Sequence, residues 1–199
     1  AIHAAGIEFD GYPSFVARLA GLPPEDGILM LCFEHQGREV RIAHVTLHAS
    51  VFEALSLITK ERILQTLRAV HRTLKKPRIA VSGVNPHAGE AGAFGREEID
   101  IVAPALEQAR REGMAVDGPI GADTLIQRAG YDAYVVMLHD QGHVAAKLLA
   151  PQRVAGLTIG TPVLFSSVAH GSALDIAGKG CANPAAMVEA VVRLTGYLS

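Results

Sequence analysis

The feature that most constrains the fold is the alternation of apolar, strand-like runs with helix-like segments along the chain. The runs at 79–84 and 134–138 are each followed by segments with helical character, among them 97–112 and 144–149. Strand, helix and strand in series form crossover connections, which place parallel strands in one sheet with helices on its faces. The pattern therefore predicts an α/β domain with a largely parallel sheet.

The other predicted elements surround this alternating part. Strands at 27–33 and 39–45 flank a turn-like segment at 34–38, which predicts a hairpin. A helix over 60–74 has apolar residues at three-to-four spacing and ends at Lys75-Lys76-Pro77. The remaining predictions are helices over 14–19 and 123–128, strands at 157–159 and 163–165, Gly113 as the C-cap of the 97–112 helix, and a helix over 184–198 with Asn183 as its N-cap.

Composition excludes several classes of protein. The chain is 49% hydrophobic with a formal net charge of −2, so it lacks the basic footprint expected of a nucleic-acid-binding protein. No apolar run approaches the ~20 residues that a membrane-spanning helix needs, and the first residues do not form a secretory signal. The two cysteines, Cys32 and Cys181, form no CxxC pair, so we expect a reducing, cytoplasmic location.

Two histidine loops that follow strand-like runs carry the clearest chemical signal. The loop 85–90 (NPHAGE) contains His87, and the loop 139–143 (HDQGH) begins with His139. Ligands of open α/β sheets bind at the carboxyl ends of strands, and neutral imidazole is the commonest metal ligand. A metal or catalytic centre is one interpretation. The alternative is that both imidazoles cap helix N-termini and only order the loops.

The other histidines are weaker candidates. His44 and His48 lie on or just after the second predicted strand, where period two places them on one face and His48 nearer the strand end. The alternative for both is a hydrogen-bonded histidine of the core. His3, His35 and His71 lie in polar or helix-surface contexts and have no assigned function.

Three further side chains and one glycine-rich stretch each have a structural and a functional interpretation. Lys147 is either a solvated lysine or a group that binds an anionic substrate or moves a proton. Asp123 either caps a helix or serves the site, and Asp140 stands beside a candidate ligand as its partner or as a general base. The stretch 170–184 is either a connection or a nucleotide loop with close backbone approach, although its spacing is not GxGxxG.

In this order, the motifs resemble the 4-hydroxythreonine-4-phosphate dehydrogenase family. The matching residues are 85–90, 117–119 with 122–124, and 139–142 with Lys147. The stretch 170–184 also resembles the cofactor loop of isopropylmalate and isocitrate dehydrogenases. The resemblance covers essentially the whole chain. It implies an isopropylmalate-dehydrogenase-like, two-domain α/β/α fold with a mixed, largely parallel sheet.

The resemblance also implies domains, a dimer and cofactors. Residues 1–140 would form mainly the central, dimer-forming domain, and residues 141–199 the C-terminal part of the cofactor-binding domain. The family's N-terminal opening is absent from this chain, so we expect a further N-terminal portion. The family is a homodimer that binds a divalent metal, for which three imidazoles favour zinc, and NAD or NADP between the domains.

The family's site residues map onto this sequence position by position. The implied metal ligands are His48, His87 and His139, one of them from the partner subunit; His48 is preferred to His44 for its spacing to Ile58-Thr59. The implied catalytic groups are Lys147, Asp123 and Asp140. The implied cofactor-binding residues are His170, Gly171, Ser172, Ala173, Asp175, Ile176 and Asn183.

Departures from the family pattern concern the substrate. Where phosphate-using members have polar groups, this chain has Tyr12-Pro13, Gly156 and Phe165, and a phosphate ester needs charge-assisted donors. The chain more closely resembles the terephthalate dihydrodiol dehydrogenase branch, with Tyr12, Lys147 and Phe165 as substrate-binding residues. That resemblance implies the oxidation of a cis-dihydrodiol carboxylate, with decarboxylation to a catechol such as protocatechuate. The alternatives are oxidation of a phosphorylated hydroxy acid and a non-catalytic regulator that binds metal or nucleotide.

Overall fold

The structure is a computed structural model that describes residues 2, 5–7 and 9–196. His3 and the predicted helix end at Leu198 lie outside these residues. The strands are β1 (Ile28–His35), β2 (Arg38–His44), β3 (Arg78–Ser82), β4 (Ala115–Ile120), β5 (Ala133–Val136), β6 (Ala155–Ile159) and β7 (Phe165–Val168). The helices are α1 (Tyr12–Leu19), α2 (Val51–Leu57), α3 (Lys60–Leu74), α4 (Ala103–Arg111), α5 (Ala122–Leu125), α6 (His139–Leu149) and α7 (Ala185–Gly196).

All seven strands belong to one mixed sheet, in the order β4-β3-β5-β2-β1-β6-β7. The β4-β3, β3-β5 and β5-β2 pairs are parallel, whereas β2-β1, β1-β6 and β6-β7 are antiparallel. The predicted α/β architecture and the β1-β2 hairpin are confirmed. Parallel pairing is confined to one half of the sheet, because the chain reverses at the hairpin and again between β6 and β7.

Apolar side chains on the two faces of the sheet form two cores, so the domain has three layers. Alternate residues of β1 and β2 point to opposite faces, as a strand requires: Met30 and Ala43 pack with α3 and α4, and Leu31 and Ile42 pack with α5 and α6. In the described ranges, no helix is long and apolar enough to cross a membrane.

The predicted helix over 60–74 is confirmed as α3. The Thr59 hydroxyl accepts a hydrogen bond from the Arg62 N–H as its N-cap, and the helix ends where Lys75 adopts a left-handed conformation (φ 56°). Ile63, Leu67 and Val70 are buried along one face. Both ends and the buried face are encoded locally.

Several predicted boundaries were wrong for identifiable reasons. The helix predicted over 97–112 is a π turn at Glu98–Val102 followed by α4, because Pro104 cannot donate a backbone hydrogen bond to the preceding turn. Helix α1 begins at Tyr12 rather than residue 14, since Pro13 is favourable in a first turn. The other shifted elements are α5, β1, β2, β3, β5, β6 and β7, whose ends differ from the prediction by one to a few residues, and α7, which begins one residue later than predicted.

Two elements were not predicted, and one predicted loop is helical. Strand β4 contains Gly118-Pro119, which signals a break. Helix α2 is short, with an N-cap from Ser50. The segment 139–143 is not a loop before a helix at 144, because α6 begins at His139 itself. That correction places His139 and His143 one turn apart on a single helix.

Candidate functional site

Two of the candidate ligands, His48 and His139, meet at the end of the parallel half of the sheet. They follow β2 and β5, which pair in parallel through Ile42 opposite Tyr134 and His44 opposite Val136. Backbone pairing continues beyond the strands, where Val45 N–H donates to the Val136 carbonyl at 2.9 Å. The two imidazole centroids are 5.9 Å apart.

The hydrogen bonds of these two rings leave one nitrogen of each available for a ligand. The Nδ1 of His48 contacts the Asp10 carbonyl oxygen, and the Nδ1 of His139 lies 2.7 Å from Oδ1 of Asp140. Histidines that bind metal through Nε2 commonly donate Nδ1–H to a carbonyl or carboxylate in this way. With zinc–nitrogen bonds of about 2.1 Å, two ligand rings are about 5–6 Å apart, so this pair fits a shared divalent metal.

Two further histidines pack against this pair, namely His44, a weaker candidate in the sequence, and His143, for which the sequence predicts no role. The His143 ring stacks on His139 at a centroid distance of 3.7 Å and an interplanar angle of 8°, and His44 lies 4.8 Å from His143. His44 is buried, and its Nε2 has no hydrogen-bond partner in the described part of the chain. The sequence signal for His143 is its i,i+4 spacing from His139, which places both rings on one face of a helix. A loop over 139–143, as predicted from the sequence, does not imply that proximity.

Both additional histidines are neutral at pH 7. Burial lowers the pKa of His44 to about 3, with the nearby His143 as the second cause. Burial, followed by the nearby His139, lowers the pKa of His143 to about 4. Neutral rings in these positions add no positive charge that would oppose cation binding by their neighbours.

The depressed pKa of His44 predicts acid-sensitive stability. Below about pH 6.5, the pKa of histidine in an unfolded chain, His44 is protonated in the unfolded chain but not in the folded one. The unfolding free energy therefore falls as the pH falls toward the folded-state pKa of His44. His44→Leu is expected to reduce the slope of the unfolding free energy against pH by up to about 1.4 kcal/mol per pH unit. Urea unfolding of the metal-free wild-type and variant proteins between pH 4.5 and 6 measures both slopes, and equal slopes would contradict the lowered pKa of His44. Above about pH 7.5, the difference in unfolding free energy between the two proteins is expected to be constant.

The third candidate ligand, His87, belongs to a separate group. It lies on the turn Pro86–Gly92, and its ring centroid is 6.3 Å from that of Phe94. Gly121 lies close to both the His87 backbone and the Asp123 carboxylate. Within residues 2, 5–7 and 9–196, no three His, Cys, Asp or Glu side chains converge to hold a metal ion. A single chain therefore brings together two of the three candidate ligands, while Asp123 accompanies the third.

The turn that carries His87 has an unusual backbone. Residues 87–91 all have positive φ, from 41° at Glu90 to 76° at Gly89, and only Gly89 among them is glycine. Each non-glycine residue in a left-handed conformation costs about 1–2 kcal/mol. Such strain persists only where surrounding contacts determine the conformation, which is a property of functional sites.

A cavity of about 410 Å³, here called the histidine cavity, opens beside His48 and His139. The Lys147 side chain borders it two turns along α6 from His139, and the Tyr12 ring forms part of its wall. Phe165 packs on Tyr12 at a centroid distance of 5.4 Å and faces an adjoining cavity. The other lining residues are Phe9, Gly11, Pro13, Leu29, Leu31, His143, Gly156, Ser167, Val168, Ala169, His170 and Gly171.

A second cavity, of about 660 Å³, also borders Lys147. Most of the predicted cofactor residues line it, namely His170, Gly171, Ala173, Ile176 and Asn183. Ser172 lines the adjoining cavity at Phe165 instead, and Asp175 lines neither. Lys147 lines both the histidine cavity and the second cavity, as His170 and Gly171 also do.

The chain matches a family and several named relatives. The model of the family described as "Pyridoxal phosphate biosynthetic protein PdxA" matches residues 1–193. A 1,2-dihydroxy-3,5-cyclohexadiene-1,4-dicarboxylate dehydrogenase from Comamonas sp. is 46% identical, over 98% of this chain and 62% of its own length. A 4-hydroxythreonine-4-phosphate dehydrogenase from Geobacter metallireducens is 42% identical, over 96% of this chain and 57% of its own length.

Solved structures agree with the fold and with both kinds of relative. A 4-hydroxythreonine-4-phosphate dehydrogenase from Klebsiella pneumoniae superposes with a TM-score of 0.84 at 35% identity, over 100% of this chain and 61% of its own. A terephthalate 1,2-cis-dihydrodiol dehydrogenase from Burkholderia xenovorans LB400 superposes with a TM-score of 0.77 at 42% identity, over 97% of this chain and 63% of its own chain. A β-decarboxylating dehydrogenase from Thermococcus kodakarensis, at 20% identity and a TM-score of 0.62 over 96% of this chain and 62% of its own, shares the predicted fold. The chain spans about three fifths of the length of these proteins.

Proposed function

Because this chain belongs to the PdxA family, we propose that it acts as a metal- and NAD-dependent dehydrogenase. The proposed substrate is a cis-dihydrodiol carboxylate of the terephthalate type, oxidised and decarboxylated to a catechol such as protocatechuate. The relative of that name from Comamonas supports this substrate class. Relatives named for hydroxythreonine phosphate or threonate phosphate support the alternative, a phosphorylated hydroxy acid.

The observation that carries the choice is the apolar wall of the site. Tyr12 and Phe165 pack together at 5.4 Å, and Gly156 lines the histidine cavity without any side chain. A planar ring is complementary to aromatic faces. A phosphate dianion needs charged donors, and none of these three residues supplies one.

The ligands proposed for the metal are His48, His139 and, from a second subunit, His87. When bound, a divalent metal would lower the pKa of the substrate hydroxyl and polarise the neighbouring oxygen, and NAD would accept the hydride. The Nδ1 contacts to Asp10 and Asp140 hold the first two rings with Nε2 directed away from those partners. Zinc remains the proposed ion on the ground of an all-imidazole ligand set.

Lys147 is the proposed proton acceptor and carboxylate-binding group. It lines both the histidine cavity and the second cavity, where its amine would accept the hydroxyl proton during oxidation of the carbinol carbon. The resulting β-keto acid loses carbon dioxide, the electron pair of the broken bond becomes the third double bond of the ring as the carbonyl oxygen takes up negative charge, and protonation of that oxygen gives the catechol. Asp140 and Asp123 are proposed as supporting groups for His139 and His87.

A homodimer completes the proposal, since His87 stands apart from the other two ligands within one chain. Residues 1–140 are proposed as the main part of the dimer-forming domain and residues 141–199 as part of the cofactor domain, with NAD against 170–183. Both Cys32 and Cys181 are free thiols, which agrees with the cytoplasmic location that we propose.

An activity assay with matched substrates tests the proposed function. The intact protein, with zinc and NAD, is expected to form NADH from a cis-dihydrodiol dicarboxylate and to release one carbon dioxide for each NADH. 4-Hydroxythreonine 4-phosphate and D-threonate 4-phosphate serve as competing substrates. NADH formation from a phosphate ester alone would establish the alternative, and zinc binding without turnover of any substrate would favour a regulator.

Removing one aromatic face should weaken use of the cyclic substrate. Phe165→Ala is expected to lower kcat/KM for the dihydrodiol about 10-fold, because an aromatic pair contributes about 0.5–1.5 kcal/mol beyond its buried area. The KM for NAD is expected to remain unchanged. Steady-state kinetics measures both values, with Leu19→Ala on the exposed surface of α1 as the control; an unchanged kcat/KM would exclude Phe165 from the substrate wall.

A further inference from the structure

Glu98 is a buried carboxylate with no part in the proposed chemistry. Its side chain is only 3% exposed, and among the described residues it forms no ion pair. The N–H groups of Val84 and Asn85 each donate to Oε1 at 2.7 Å, and the Asn85 side-chain amide donates to Oε2 at 3.0 Å. All of these donors belong to the segment that leads from β3 into the turn carrying His87.

The same carboxylate packs against the turn itself. A Cβ atom on Gly89, at the centre of the left-handed run, would lie 2.5 Å from Oε2 of Glu98. A Cβ atom on Gly83, before the turn, would lie 2.8 Å from Oε1 and 2.8 Å from the Ala88 Cα. Glycine at these two positions therefore lets the turn close over the carboxylate.

The hydrogen bonds also keep Glu98 ionised. Burial raises its pKa, but the bonds from Asn85 and from the Val84 backbone lower it further than burial raises it, so the net pKa lies below the ordinary value. An ionised acceptor forms stronger hydrogen bonds than a neutral one. The bonds thus connect the strained turn to the start of the π turn at Glu98–Val102, a feature frequent at functional sites.

We propose that Glu98 is a positioning residue that holds the left-handed turn and thereby orients His87 toward the shared metal. Glu98 touches neither metal nor substrate and acts through the backbone of residues 84–89. The inference rests on the proposed function, because it takes His87 to be a metal ligand. It adds that the ligand geometry depends on a carboxylate beneath the turn.

A double-mutant cycle on zinc affinity tests the inference. Glu98→Gln keeps the side-chain shape but places an NH₂ donor where Oε2 accepts from Asn85, and is expected to weaken the binding of Zn²⁺ about 10- to 100-fold, the range for residues that orient ligands. His87→Ala is expected to weaken it at least as much. The double variant should bind like His87→Ala alone, since a turn without its ligand has nothing left to orient. Titration calorimetry with Zn²⁺ alone on the intact, metal-free protein measures all four affinities.

Controls separate positioning from general stability and from the proposed ligand set. Glu107→Gln makes the same charge change on the exposed side of α4 and should leave zinc affinity unchanged. Asn85→Ala removes the side-chain hydrogen bond to Glu98, together with the one to Glu97, and should give an intermediate loss if Glu98→Gln does not fold. If the losses of zinc affinity are additive, the role of Glu98 is overturned while His87 remains a ligand. The same conclusion follows if Glu98→Gln binds zinc like the wild type and His87→Ala binds it more weakly. Wild-type affinity in His87→Ala would overturn the ligand assignment and this inference with it.

Discussion

His139→Ala is expected to lower turnover of the dihydrodiol by well over 100-fold and to weaken zinc binding by at least as much. His139 lies three residues after the end of β5, its Nδ1 lies 2.7 Å from Oδ1 of Asp140, and its ring lies beside His48 and lines the histidine cavity. Residues that only orient a ligand change metal affinity about 10- to 100-fold, so loss of the ligand itself should exceed that range. Steady-state kinetics and zinc titration of the intact protein measure the two losses.

Two further variants serve as comparisons for His139→Ala. Asp140→Asn keeps the size of the side chain and is expected to have an effect within the 10- to 100-fold range of an orienting residue. His71→Ala, on α3, removes an imidazole whose Nδ1 has no hydrogen-bond partner among the described residues, and activity should persist. Full turnover in His139→Ala with zinc still bound would show that the ligands have been assigned wrongly.

Gly11→Ala is expected to disturb the same site through the His48 ring. Gly11 has a φ of 134°, and a Cβ atom there would collide with Nδ1 of His48 and lie 2.6 Å from its Cε1. Because Asp10 and the start of α1 hold that ring, the methyl group must displace either the imidazole or the segment. We expect zinc affinity to fall about 10- to 100-fold, as for other residues that orient a ligand.

Gly21→Ala is the matched control, since Gly21 also has a positive φ (72°) but no heavy atom lies near its would-be Cβ. Both variants should lose stability of the order of 1–2 kcal/mol from the strained backbone, but only Gly11→Ala should lose zinc. Calorimetric titration and urea unfolding distinguish the two effects. Equal zinc affinities in the two variants would show that the His48 ring does not depend on Gly11.

Elements with local signals were predictable from the sequence. Helix α3 has Thr59 as a cap, an apolar face and Pro77 beyond its end, and each of these acts within one or two turns. Strand β4 has no comparable signal, because Gly118 and Pro119 disfavour a strand and pairing with β3 overrides them. The chain order of strands and helices was therefore more accessible than their ends.

The candidate site shows the same division between local and distant information. His48 and His139 could be proposed because each follows a strand in the sequence. The proximity of His44 to His143 results from packing between β2 and α6, and no spacing along the chain encodes it. Glu98 was missed for a similar reason, since its partners Val84 and Asn85 lie more than ten positions earlier.

The pairing of β2 with β5 separates two requirements that an enzyme family must meet as it diverges. The approach of His48 to His139 follows from a backbone register, which does not depend on the side chains of Tyr12 and Phe165. The proposed aromatic wall comes from α1 and from β7, the strand at the antiparallel edge of the sheet. Under the proposed function, selection can therefore replace these two aromatic side chains, and with them the compound that is accepted, while the proposed metal ligands keep their positions.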